Sequence, residues 1–167
     1  QGQSVFNLPL DNWNTSNVTD MGEIFENMIV PFNQDITMWD TSKVTNFFGM
    51  FLVNSAFNQP IGNWNVSKAT NMSDMFAYAT AFNEPLSGWN VSGVTNMSGM
   101  FAHATSFNQD ISSWNVINVT NFGSTYWGGF MGGKTYTDYS STYLANIYST
   151  WSTLSVKPNI TIDFGTI

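Results

Sequence analysis

Five tryptophans, Trp13, Trp39, Trp64, Trp89 and Trp114, recur at intervals of 26, 25, 25 and 25 residues. A fixed period of this length is the signature of a repeat architecture, and no other feature limits the fold as strongly. Other columns keep the same step. Phe6, Phe32, Phe57, Phe82 and Phe107 each precede an asparagine, and Thr19, Thr45, Thr70, Thr95 and Thr120 follow Val18, Val44, Ala69, Val94 and Val119. The single extra residue falls between Phe25 and Phe32, in ENMIVP. One unit cannot fold by itself, because each ordered residue costs about 1–2 kcal/mol of backbone entropy that only stacking on its neighbours recovers. The columns Trp13, Trp39, Trp64, Trp89, Trp114 and Phe32, Phe57, Phe82, Phe107 are therefore read as a structural spine.

Within a unit, Met97, Met100, Phe101 and Ala104 follow i, i+3, i+4, i+7 spacing, as do Met72, Met75, Phe76 and Ala79. This is the stripe of a two-turn amphipathic helix, which Thr95 or Asn96 can cap. The segment FNQDISSW, with Phe107 and Ile111 an even number of residues apart, reads as a short strand, although Pro60 and Pro85 in the matching column restrict its ladder. The expected fold is an α/β repeat solenoid, leucine-rich-repeat-like, with one short parallel strand and one short helix per rung over residues 1–126. Tyr126 is placed in the phenylalanine column. A C-terminal cap is expected over 127–167, with a helix at about 140–155 begun by Asp138 or Ser140 and a strand at about 159–164. The first rung enters at full register without a cap, which predicts further repeats or another domain upstream. The asparagines after each phenylalanine, and the Asn or Asp at 20, 46, 71, 96 and 121, are expected to form side-chain ladders that satisfy turn backbone.

Composition removes several functional classes. Only 9% of residues are charged, none is arginine, and the net charge is −7, so neither nucleic acid nor an anionic membrane surface is a suitable partner. Without cysteine there is no disulfide, thiolate nucleophile or thiolate metal site. No apolar run reaches the ~18 residues of a membrane span, so no membrane insertion is expected. Asp35 and Asp110 share a column but stand three rungs apart, about 15 Å at the spacing of adjacent strands, and Glu84 belongs to a neighbouring column. His103 is the only histidine, and the methionine columns at helical spacing read as core. No catalytic set, metal site or cofactor site is expected.

The unit WNVSxxTNMSxMFAxATxFNxxI/L, spanning roughly residues 5–126, resembles the repeat of BspA-like bacterial surface proteins, a divergent leucine-rich-repeat family. The resemblance implies a secreted or surface-displayed, non-catalytic adhesion or ligand-binding module, with a protein or glycan on a cell or matrix surface as partner. The alternative is a structural building block of a surface layer, fibre or virion appendage that associates with copies of itself. For the contact surface, the outward helical positions are Ser73, Asp74, Ala77 and Tyr78 in one rung, Ser98, Gly99, Ala102 and His103 in the next, and Phe48, Gly49, Leu52 and Val53 in the one before. Phe48, Leu52, Val53, Tyr78 and His103 are the candidate contact residues. The competing arrangement is a rotated helix that buries Phe48 in place of Phe47.

Overall fold

The computed structural model describes residues 7–28, 30, 32–123, 126, 128–134 and 138–154. Residues one repeat apart lie against each other and share main-chain hydrogen bonds. The amides of Thr45, Thr70, Thr95 and Thr120 donate to the carbonyls of Thr19, Thr45, Thr70 and Thr95 at 2.8–2.9 Å. The amides of Met21, Phe47, Met72 and Met97 donate to Asn46, Asn71, Asn96 and Asn121, each at 2.9 Å. Asp20, Asn46, Asn71, Asn96 and Asn121 thereby form a row of single-residue parallel bridges.

This arrangement corrects the expected α/β solenoid with a strand and a helix in every rung. Among the described residues there is no strand, and the elements are one turn of 3₁₀ helix at Ile61–Asn63 and one α-helix, α1 (Ser141–Trp151). The FNQDISSW segments do not pair as strands because side chains take their amides. Asn33, Asn58 and Asn83 accept through Oδ1 from the amides of Asn58, Asn83 and Asn108 at 2.8–2.9 Å. The per-rung helix fails for a related reason. A helix sends each amide to its own carbonyl four residues back. Here alternate amides go to the next layer instead: Gly49 to Ser73, Phe51 to Met75 and Val53 to Ala77, at 2.8–2.9 Å. The amides between them, Met50, Leu52 and Asn54, close tight turns on Phe47, Gly49 and Phe51. The apolar spacing was thus a true signal of one buried face, but a series of turns buries that face equally well.

The core runs along the stack as columns of like residues. Phe51, Phe76 and Phe101 stack at 5.5–5.6 Å, and within each layer they meet Phe57, Phe82 and Phe107 at 3.6–4.1 Å. Each buried tryptophan of the repeat column also anchors one layer to the layer before. The indole N–H of Trp39, Trp64, Trp89 and Trp114 donates to the carbonyl of Leu10, Ile36, Ile61 and Leu86 at 3.0–3.3 Å. Aromatic burial is thereby combined with satisfaction of the one polar group the ring carries. Trp13 departs from the predicted spine: it stacks on Trp39 at 6.0 Å but is 57% exposed. Phe6, the first of the phenylalanine column, lies outside the described residues.

The last layer ends differently from the reading of the sequence. Tyr126, one repeat after Phe101, is 86% exposed, and the ring that meets Phe101 is Phe130, at 5.5 Å; the other phenylalanine column continues through Tyr139, which stacks on Phe107 at 6.3 Å. Phe130 and Gly132 occupy the places that accept from Phe101 and His103. Ser140 then continues the asparagine row, its amide donating to Asn108 Oδ1 at 2.7 Å, and its hydroxyl caps α1 by accepting from the Tyr143 amide. Lys134 is fully buried, and its ammonium donates to the carbonyls of Ala104 and Thr105 at 2.7 and 3.2 Å. In earlier layers the carbonyl equivalent to that of Thr105 accepts from the next layer, as Thr80 does from the Ser106 amide. Lys134 replaces that missing layer, and burial pushes its pKa down to about 8. The strand expected at 159–164 lies outside the described residues. No helix among the described residues is long and apolar enough to cross a membrane.

Two stability predictions follow from the columns. Trp64→Ala removes a 4% exposed ring together with its bond to Ile36, and should cost about 3–5 kcal/mol. Calorimetry should show a melting temperature lower by roughly 6 °C or more; an unchanged value would mean the column carries no load. Asn54 stands where neighbouring layers have Ala79 and Ala104, is fully buried, and has no hydrogen-bond partner for either side-chain polar atom. Asn54→Ala should therefore stabilise the protein by about 1–3 kcal/mol, measured by chemical denaturation.

Candidate functional site

The series of turns creates a face on which side chains point away from the core, and its geometry is set by backbone handedness. Two columns on this face hold residues with positive φ. One comprises Glu23, Gly49, Asp74 and Gly99, with φ between 55° and 60°, and the other Asn27, Val53, Tyr78 and His103, with φ between 46° and 59°. These residues orient their amides toward the next layer, so the ladder and the left-handed conformations require each other. Gly133, with φ 74°, continues the second column, and a side chain there would run into the His103 ring.

The five candidate contact residues all lie along this face, with unequal exposure. Phe47 is fully buried and Phe48 half-buried, so the arrangement with Phe48 in the core in place of Phe47 does not occur. Leu52 is only 8% exposed and, with Ala77, Ala102 and Tyr78, forms a small apolar cluster separate from the main core. The exposed Phe48–Leu52 pair expected from helical spacing is thus replaced by an apolar floor under the neighbouring column. Val53 is 40% exposed. Tyr78 and His103, half-buried in adjacent layers, stack with ring centroids 4.3 Å apart and planes 14° from parallel.

Sequence reasoning passed over Asp74, which stands between Gly49 and Gly99 in its column. Its Oδ1 is shut off from solvent and has no hydrogen-bond partner. Burial pushes its pKa up to about 6. Glu26, on the same face, is also raised, first by burial and then by the nearby Glu23. The available signal was the column itself: alternation of glycine with a carboxylate marks a left-handed position where the sequence supplies a charged side chain in some layers only.

The acidic residues Asp35, Asp110 and Glu84 are engaged in turn and interlayer contacts. Asp35 accepts from the Thr37 amide and hydroxyl at 2.9 and 2.7 Å, and these bonds hold its pKa below the usual value. Asp110 accepts from the Ser112 amide and from Asn146 on α1. Glu84 accepts from Asn58 at 3.1 Å. Met50, Met72, Met75, Met97 and Met100 are fully buried core residues. Among the described residues no group of three or more His, Asp or Glu is arranged to hold a metal ion.

Asp74 gives the face a pH signature. Its pKa is raised in the folded state, so the native protein binds more protons than the unfolded chain between pH about 4 and 6. The stability it contributes is fully present below about pH 4 and is lost as pH rises through about 6. Melting temperature should therefore rise as pH falls from 7 to 4.5, and Asp74→Asn should show a smaller rise. Asp35, Asp40 and Asp110, all lowered, oppose this only below that range. An identical pH profile for the variant would show that the Asp74 carboxyl titrates as it would in water.

The family model described as "Mycoplasma protein of unknown function, DUF285" matches residues 1–97 and again 61–157. No curated protein and no solved structure matches the chain.

Proposed function

The chain belongs to the DUF285 family, and we propose that it is a non-catalytic binding module whose ligand docks on the turn face. One observation carries this reading: all six non-glycine residues of positive φ among the described residues, Glu23, Asn27, Val53, Asp74, Tyr78 and His103, lie on that face. A side chain in the left-handed region costs about 1–2 kcal/mol, and a β-branched residue such as Val53 is especially unfavourable there. Glycine would avoid the cost, as Gly49 and Gly99 do in the adjoining column. Side chains retained against such strain, in register from layer to layer, are what a recognition surface requires. The likeness of the repeat to BspA-like surface proteins supports the finer reading: an extracellular or surface-displayed adhesion module that binds a protein or glycan on a cell or matrix surface. The engagement of Asp35, Asp110 and Glu84 in turn and ladder contacts supports a role without catalysis.

A second reading, self-association into a layer or fibre, is favoured by Leu8 and Met38 in the first layers, which are 65% and 83% exposed. Sedimentation at increasing concentration separates the two, since a building block must assemble.

Glycine substitution provides a test that spares the fold, because glycine is at ease where these residues are strained. The variant Val53→Gly, Tyr78→Gly, His103→Gly should keep the parent circular dichroism spectrum and lose capture on arrays of matrix proteins, glycans and whole cells. Equal capture by variant and parent, or no capture by the parent, would refute the assignment.

A further inference from the structure

The chemistry of the turn face narrows its ligand, on the premise that this face is the binding surface. Its carboxylates are Glu23, Glu26 and Asp74, and among the described residues no lysine pairs with them. Lys43 reaches Asn17 at 2.8 Å, and Lys134 is buried against the carbonyls of the last layer. Lys68 occupies the same repeat position as Lys43, directly before the buried Val44 or Ala69 and away from the turn columns. Among the described residues no lysine therefore pairs with these acids, and the one cationic influence on them is that of the N-terminal ammonium on Glu26.

Asp74 is the central group. Glycines at 49 and 99 place no side chain beside it in either neighbouring layer. A side chain starting at Gly49 would lie 3.5 Å from Glu23 Cγ and 3.7 Å from Leu52 Cβ. This column thus runs beside both Glu23 and the apolar cluster of Leu52, Ala77, Ala102 and Tyr78. The Tyr78–His103 stack stands on the same cluster. Asp74 Oδ1 is closed to solvent, so a partner meets the carboxylate at Oδ2; that oxygen, an apolar floor and aromatic rings together match a guanidinium group, which pairs with carboxylates and lies flat on aromatic faces.

We propose that the turn face takes an arginine side chain of a protein partner, seated between the Asp74 carboxylate and the Tyr78–His103 stack. A sugar would also use the aromatic rings, but its neutral hydroxyls gain nothing from Glu23 and Glu26, whereas a cationic partner gains from both and from the net charge of −7. Binding requires ionised Asp74, so burial of this carboxyl makes recognition pH-dependent, with affinity growing as pH rises through about 6. The other titratable groups facing the seat are Glu23 in the preceding layer, Tyr78 in the same layer, His103 in the following one, and Glu26 at the margin.

The experiment uses the full chain and a labelled Gly/Ser peptide carrying two arginines, with a citrulline counterpart that keeps the shape and loses the charge, read by fluorescence anisotropy. The arginine peptide should bind at pH 7.5 and weaken toward pH 5, and the citrulline peptide should not bind. Asp74→Asn should lower affinity about tenfold at pH 7.5 and flatten the pH dependence, as expected for loss of a charge-assisted contact. Asp40→Asn, which removes the same charge from a different turn, should leave binding unchanged. Equal losses in Asp74→Asn and Asp40→Asn would reduce the effect to net charge and overturn the proposal. So would equal binding of the citrulline peptide, no binding of the arginine peptide, or a neutral glycan captured on this face and indifferent to Asp74→Asn. Those results leave the binding face itself standing if the glycine triple variant still loses capture; retained capture by that variant removes the face as well.

Discussion

Everything in this fold depends on main-chain amides that leave their own layer and find carbonyls one repeat away. The amide of Thr45 bonds to Thr19, that of Thr70 to Thr45 and that of Thr95 to Thr70, and the turns add a second set from Gly49, Phe51 and Val53 into the following layer. An amide committed to a neighbour is unavailable for local helix, and a buried amide left without an acceptor is costly. Each layer can therefore adopt its shape only if the next supplies carbonyls in register. This requirement, together with the entropy of ordering each repeat, makes the stack cooperative.

Side-chain columns serve this ladder rather than compete with it. Aromatic rings recur at 5.5–6.5 Å along the stack, close to the offset-stacked separation at which aromatic pairs attract. Indole N–H groups satisfy carbonyls of the preceding layer, and asparagine Oδ1 atoms satisfy amides of the following one. Polar and apolar columns thus make the same connection between layers in different ways. Where the repeat ends, the replacements are also side chains: the Lys134 ammonium on the last carbonyls and Ser140 on the last asparagine.

The turn face follows from the same ladder. Directing alternate amides outward forces left-handed residues into two columns, and left-handed residues place their side chains where a helix would not. The strain at Val53, Tyr78 and His103 is a consequence of stacking, while the choice of those side chains over glycine is not dictated by it. Asp74 combines both aspects: an acid tolerated at positive φ, held between glycines and lacking a donor for one oxygen. On our reading, recognition arises where the repeat is most constrained in backbone and least uniform in side chain.

Much was legible beforehand. The 25-residue step, the tryptophan and phenylalanine columns from Trp39 onward and the asparagine rows could all be read from the sequence, because stacking like on like leaves a direct trace in spacing. The apolar stripe also identified which side of the chain is buried, although Leu52, expected on the outside, is itself covered. Helix and turn were not separable, because Met97, Met100, Phe101 and Ala104 bury one face in either conformation. Nor could spacing show that Leu52 forms a floor, that Tyr126 is exposed while Tyr139 continues the column of Phe107, or that Asp74 Oδ1 lacks a donor. By itself the sequence determined the period and the identity of the buried columns, because burial repeats with the chain. Only the tertiary structure decided the conformation within each layer and the surface it presents, because amides choose between a local carbonyl and one 25 residues away according to what the neighbouring layer offers.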